Sequence, residues 1–176
     1  MKKALNILAG LFLLSIISVS EVKAEEAQAA YGGTLIYGEV GNPTTLEPVT
    51  SNDAISDRII HMLFNSLVVI DENLDVKPEL AESWEIKTSK GGDTEFIIKL
   101  REDVIWHDNK PFTSEDVVFT FKAIMDPRTE SSMSSRYKGI VKKIEAMGTY
   151  QVKVTLIGNN AFSMGNMNFK IIPKHA

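Results

Sequence analysis

Three histidines, a Trp-His-Asp triplet, a short glycine motif and scattered carboxylates are the residues from which chemistry would have to be built. His61, His107 and His175 stand far apart in a chain that has no cysteine. Zinc sites draw on close-set Cys and His pairs, which this spacing does not offer. Isolated histidines of this kind read as surface or turn residues. Trp106-His107-Asp108 supplies two members of a Ser-His-Asp site, but no Gly-x-Ser-x-Gly nucleophile turn accompanies it. Asp108, Asn109 and Pro111 make the segment a structural turn instead. Gly38-Glu39-Val40-Gly41 lacks the third glycine of a dinucleotide fingerprint, and Pro43 stands where the helix would have to begin. No pair of carboxylates is placed for glycoside chemistry. The candidate catalytic residues, metal ligands and cofactors are therefore none, which favours a binding protein over an enzyme.

The elements around these residues follow from periodicity. Thr34 to Val40 alternates as a strand and ends at Gly41-Asn42-Pro43. Ile55, Ile59, Met62 and Leu63 recur at helical spacing, so residues 53–65 are predicted helical, capped by Ser51, Asn52 or Asp53. A short buried strand over 67–70 precedes the turn Asp71-Glu72-Asn73. Residues 83–88 and 94–100 alternate about Gly91-Gly92-Asp93, as do 140–146 and 150–156 about Gly148-Thr149, giving two hairpins. Thr113-Ser114-Glu115-Asp116 is a capping box that opens a helix over 114–125. Asp126-Pro127 stops that helix, and 128–135 reads as a polar loop. The fold class is α+β.

The first residues have a different character. Lys2-Lys3, an apolar run from Leu5 to Val19 and the stretch Val22-Lys23-Ala24 form a signal-peptide pattern, with cleavage after Ala24 and with Ser20 or Ala29 as nearby alternatives. The apolar run is short for a membrane span, which needs about 20 residues; an uncleaved anchor is the other reading. Removing residues 1–24 leaves 16 basic and 22 acidic residues. That balance argues against nucleic acid or an anionic membrane as a partner. Without cysteine the chain has neither a disulfide nor the acylation site of a lipoprotein. A periplasmic location is expected, free secretion being the alternative.

Three stretches then line up in order: Gly33-Thr34-Leu35-Ile36-Tyr37-Gly38 with Thr45-Leu46-Glu47-Pro48; Leu63 to Val68 with Pro78-Glu79-Leu80-Ala81-Glu82-Ser83-Trp84-Glu85; and Val104 to Phe119, through Trp106-His107-Asp108-Asn109-Lys110-Pro111-Phe112-Thr113. The pattern resembles the extracellular solute-binding proteins of family 5, the oligopeptide and dipeptide binders of ABC importers. Glu47 stands where Asp is usual before the proline, and Asn109 replaces the common glycine of the turn while tolerating positive φ.

The resemblance implies the N-terminal part of a two-lobed periplasmic binding protein of type II, peptide-binding-like. Its parts would be a signal peptide (1–24), a disordered lead-in (25–32), the opening strand of lobe I (33–48), an inserted accessory α+β domain (49–168) and the start of the return to lobe I (169–176). Trp84, Trp106, His107, Asp108, Thr113 and Asp116 are expected to build the domain rather than touch ligand, with both tryptophans in the core. The implied ligand loops are Ser51, Asn52, Asp53 and Ala54, and Ser131, Ser132 and Met133; the bland alternative for both is a solvated loop. The implied partners are a peptide ligand and an ABC permease in the inner membrane, with the protein itself a monomer. Nickel or another small solute is the alternative cargo. As a fragment lacking the rest of lobe I and the whole opposite lobe, the chain is expected to bind no peptide tightly alone and to be more mobile over 25–45 and 169–176 than in the middle. A non-functional remnant and a stand-alone secreted interaction domain are the rival readings.

Overall fold

The computed structural model describes residues 32–158 and 164–176. The signal-peptide residues, the cleavage position and most of the lead-in lie outside the described residues. The chain divides into two compact units, Met1–Tyr37 and Gly38–Ala176. Residues 32–39 have no regular secondary structure, so the strand expected over 34–40 is not formed. Alternation names the face a strand would bury, but a strand also needs a neighbour to accept its ladder of hydrogen bonds.

The second unit is built on a four-stranded antiparallel sheet. Helix α1 (Ala54–Leu63) comes first, followed by the small ladder of β1 (Val68–Ile70) and β2 (Val76–Pro78). Strands β3 (Ala81–Thr88) and β4 (Thr94–Leu100) form the first hairpin, and β5 (Val141–Gly148) and β6 (Gln151–Leu156) form the second. The two hairpins join through their inner strands, giving the order β3-β4-β6-β5. Between them in sequence lie helix α2 (Ser114–Met125), a 3-10 turn (Pro127–Thr129) and the single-turn helix α3 (Ser134–Tyr137). A second 3-10 turn covers Met164–Met167. The predicted spans of β4 and α2 match the observed ones; β2, α3 and both 3-10 turns were not expected. Each is three or four residues long, too short for a period of two or of 3.6 to show.

Alternation along the central strands decides which face is buried. Phe96, Ile98 and Leu100 of β4 and Val152, Val154 and Leu156 of β6 point inward, each 2% exposed or less. They pack with Val117, Phe121 and Ile124 of α2, and with Phe112, Tyr137, Phe169 and Ile171. The outer face carries charges that meet across the strands: Lys99 with Glu82 at 2.7 Å, and Lys153 between Glu95 (3.7 Å) and Glu145 (3.9 Å). Solvated pairs of this kind each contribute about 0–1 kcal/mol, so the inner face dominates stability.

Both tryptophans pack against the core but are only partly buried, contrary to a fully interior placement. Trp84 stands on the edge strand β3, where one flank has no neighbouring strand. Trp106 meets Phe112 edge to face at 6.2 Å, while its indole N–H is directed to a carboxylate.

Candidate functional site

The first expected ligand loop is formed where Glu47-Pro48 turns the chain into α1. The Glu47 carbonyl accepts the amides of Thr50 (3.3 Å) and Ser51 (3.0 Å), closing the turn. Asp53 is the cap of α1, and its Oδ1 accepts the amides of Ile55 (3.1 Å) and Ser56 (2.9 Å). Its Oδ2 accepts the Thr44 hydroxyl. These bonds, led by those from Ser56, hold the Asp53 carboxyl at about 2, below the usual carboxylate range. The same bonds occupy much of its acceptor capacity, so Asp53 holds the loop in shape. Ser51 is buried and donates its hydroxyl to Asp57 at 3.0 Å. Asn52 and Ala54, on either side of the cap, are the exposed members.

The second loop follows α2. Asp126 is drawn to about 2 by Arg128, whose guanidinium lies 2.6 Å from it, and it also caps the 3-10 turn through the Arg128 amide. Glu130 then takes a left-handed φ of 54°, which redirects the chain. Ser131 is 5% exposed, and its hydroxyl has no hydrogen-bond partner among the described residues. Ser132 is exposed, and Met133 is half-buried against the core. The far end of this loop is anchored by Tyr137, which is 0% exposed. Its hydroxyl donates to the Asn166 carbonyl at 2.8 Å, and its ring meets Phe121 (5.5 Å) and Phe169 (5.8 Å) edge to face. Burial pushes the Tyr137 phenol above its ordinary value. No hydrogen bond or ion pair among the described residues joins the first loop to the second.

Three further residues make contacts that the sequence reading did not assign. Arg136 reaches the Asn168 side chain at 3.3 Å. Glu79 accepts the amide of Ser66 and the side-chain amide of Asn65, both at 2.6 Å. Lys170 pairs its backbone with Ser66, and its ammonium is lowered by burial more than Glu79 restores it. Contacts of this separation, such as Ser66 with Asn168 and Lys170, leave no local pattern in the chain.

The Trp106–Asp116 stretch is a compact turn. Trp106 and Lys110 close it through a 2.8 Å backbone bond, and Asn109 adopts the left-handed φ of 67° that its residue type tolerates. Asp116 completes the capping box, with its Oδ2 accepting the Thr113 amide at 2.9 Å. His107 is exposed. His61 bonds the Asp57 carbonyl of its own helix at 2.7 Å. Among the described residues no group of three or more acidic or histidine side chains could hold a metal ion. A broad concavity of about 820 Å³ lies between α2 and β5, walled by Val118, Phe121, Met125 and Ile144. None of the expected ligand residues line it. No described helix is long and apolar enough to cross a membrane.

The family model for bacterial extracellular solute-binding proteins, family 5 (middle), matches residues 75–176. The chain is 33% identical to the oligopeptide-binding protein AppA of Bacillus subtilis over 99% of its own length and 33% of that protein's. It is 30% identical to the glutathione-binding protein GsiB of Escherichia coli K12, over 80% of this chain and 27% of that one. Among solved structures, AppA in complex with a nonapeptide superposes with a TM-score of 0.65 at 34% identity, covering 78% of this chain and 27% of AppA. NikZ of Campylobacter jejuni in complex with Ni(L-His) gives the same TM-score and identity, over 77% and 26%.

The chain belongs to the family 5 extracellular solute-binding proteins, which are not enzymes, and it resembles the N-terminal part of the type II periplasmic binding fold. It spans about a third of the length of AppA.

Proposed function

We propose that this protein is the ligand-binding component of a bacterial ABC importer that takes up peptides. The observation that carries the proposal is the match to AppA along almost the whole chain, together with that protein's structure around a nonapeptide. In this reading residues 1–24 direct export to the periplasm. Residues 33–48 open lobe I, 49–168 form the accessory domain, and 169–176 return toward lobe I. Asn52, Asp53, Ala54, Ser132 and Met133 face the ligand, with Asp53 also capping α1. Extended peptides are bound chiefly through their backbone, which accepts many sequences. An ABC permease is the membrane partner.

A monomer is supported by the two edges of the sheet, which pair with no further strand among the described residues. Strand β3 has a register shift at Ala81/Ser83 and carries Glu82, Glu85 and Lys87. Strand β5 shifts at Val141/Lys143 and at Ala146/Gly148 and carries Lys142, Lys143 and Glu145. Bulges and charges on an edge discourage pairing with a second copy.

A second cargo, a nickel complex, is favoured by the equal likeness to NikZ. Protein recovered from a periplasmic extract distinguishes the two. Its N-terminus should be Glu25, and bound material released by acid should contain peptides when examined by mass spectrometry. Nickel with histidine in place of peptides would establish the second reading. An intact Met1 in the cytoplasm, or neither ligand on the protein and no thermal shift with either, would overturn both.

A further inference from the structure

We propose that the polar residues between Trp106 and Thr120 form a clasp that straps the segment 171–175 along α2, with Asp116 as its positioning residue. Residues 169–176, which include this segment, were expected to be mobile; here the segment makes a specific set of polar contacts. Asp116 is 3% exposed. Its Oδ2 accepts the Thr113 amide (2.9 Å) and the Trp106 indole N–H (3.3 Å), and the Thr113 hydroxyl lies at 3.5 Å. Its Oδ1 is turned the other way and accepts the Lys174 amide at 2.8 Å. One turn later Thr120 is 0% exposed. Its hydroxyl donates to the Asp116 carbonyl at 2.8 Å and accepts the Ile172 amide at 3.0 Å.

The two anchors fit each other for a geometric reason. Residues four apart on a helix lie on one face, separated by about 6 Å along the axis. Residues two apart on an extended chain present their amides to one side, separated by about 6.6 Å. Asp116 and Thr120 therefore match Lys174 and Ile172, with the segment running antiparallel to α2. Pro173 stands between the two bonded amides, and a proline has no N–H to leave unsatisfied there. On the opposite side the Ile171 amide bonds the Asn65 carbonyl at 2.9 Å, and Ile171 is fully buried. Two exposed contacts continue the line, the ion pair of Lys174 with Glu115 (2.8 Å) and the hydrogen bond between His175 and Asp108 (2.9 Å).

The clasp gives the family-typical residues a task distinct from ligand contact. Trp106 and Thr113 orient the Asp116 carboxylate from one side, and the carboxylate fixes the path of the segment from the other. A hydrogen bond from an amide to a buried carboxylate is of the stronger class, so its loss is expected to raise local opening by about tenfold or more.

The test is amide hydrogen exchange on the protein as expressed, followed residue by residue. Thr120→Val keeps the shape of the side chain and removes the acceptor for Ile172. It should speed exchange at Ile172 by about tenfold while the β4 amides keep their rates. Asp116→Asn should do the same at Lys174. Thr113→Ala keeps the Thr113 amide on Asp116 and removes only the 3.5 Å hydroxyl contact, so it should speed exchange at Lys174 by less than Asp116→Asn does and leave Ile172 protected. Unchanged rates at Ile172 and Lys174 in both anchor variants would overturn the proposal. So would acceleration spread evenly over β4 and β6, which would make Asp116 a helix cap and nothing more. Should Asp116→Asn fail to fold, Thr120→Val decides the matter.

Discussion

Tyr137 offers the sharpest test of how the second loop is held. Two substitutions separate its ring from its hydroxyl. Tyr137→Phe keeps the edge-to-face contacts with Phe121 and Phe169 and removes the hydroxyl that donates to the Asn166 carbonyl. A hydrogen bond of this kind contributes about 0.5–1.5 kcal/mol net. Tyr137→Ala also removes a fully buried ring from the core. Truncation of a buried aromatic to alanine costs about 3–5 kcal/mol, because the surrounding side chains close the space only in part. With a urea m-value near 2 kcal/mol/M, the phenylalanine variant should lower the unfolding midpoint by about 0.25–0.75 M and the alanine variant by about 1.5–2.5 M. Equilibrium unfolding followed by circular dichroism measures both, and an unchanged slope would confirm that stability alone has moved. The reasoning fails if the alanine midpoint stays within about 0.3 M of the parent, since α3 would then not be docked through this ring. It fails differently if both variants fall equally, since the hydroxyl and not the packing would then carry the energy.

Two further outcomes follow from the turns and caps. Asn109 sits at a φ of 67°, where a Cβ without a compensating polar group costs about 1–2 kcal/mol; Asn109→Ala should destabilise by that amount and Asn109→Gly should not, as thermal unfolding would record. Asp53 titrates at about 2 in the folded protein, below its value in the unfolded chain. Its contribution is therefore fully present above about pH 4 and is lost as pH falls through 2. Protection of the Ile55 and Ser56 amides, taken relative to their intrinsic exchange rates at each pH, should fall over that window in the parent, and Asp53→Asn should flatten the dependence.

How much of this was legible in the chain divides by range. Strand β4 and helix α2 were read to the residue, because seven alternating positions and twelve periodic ones each repeat their signal several times. A cap among Ser51, Asn52 and Asp53 and the turn at Asn109 were legible too, since residue type fixes what a backbone can do within three or four positions. Family membership came from the stretches Pro78–Glu85 and Trp106–Thr113, which are local strings. Helix α3 escaped because its four residues show no period, and the strand over 34–40 was anticipated because alternation cannot show whether a pairing neighbour exists.

The tertiary structure alone decided the rest. It gave Asp53 to a helix cap, and it left Asn52 and Ser132 exposed while burying Ser51 and Ser131. It joined Asp116 to Lys174 and Thr120 to Ile172 across more than fifty residues. Local composition determines the torsions a segment prefers and the face it must hide. Which distant amide meets which carboxylate depends on how the hidden faces pack against one another, and no single stretch of the chain contains that information.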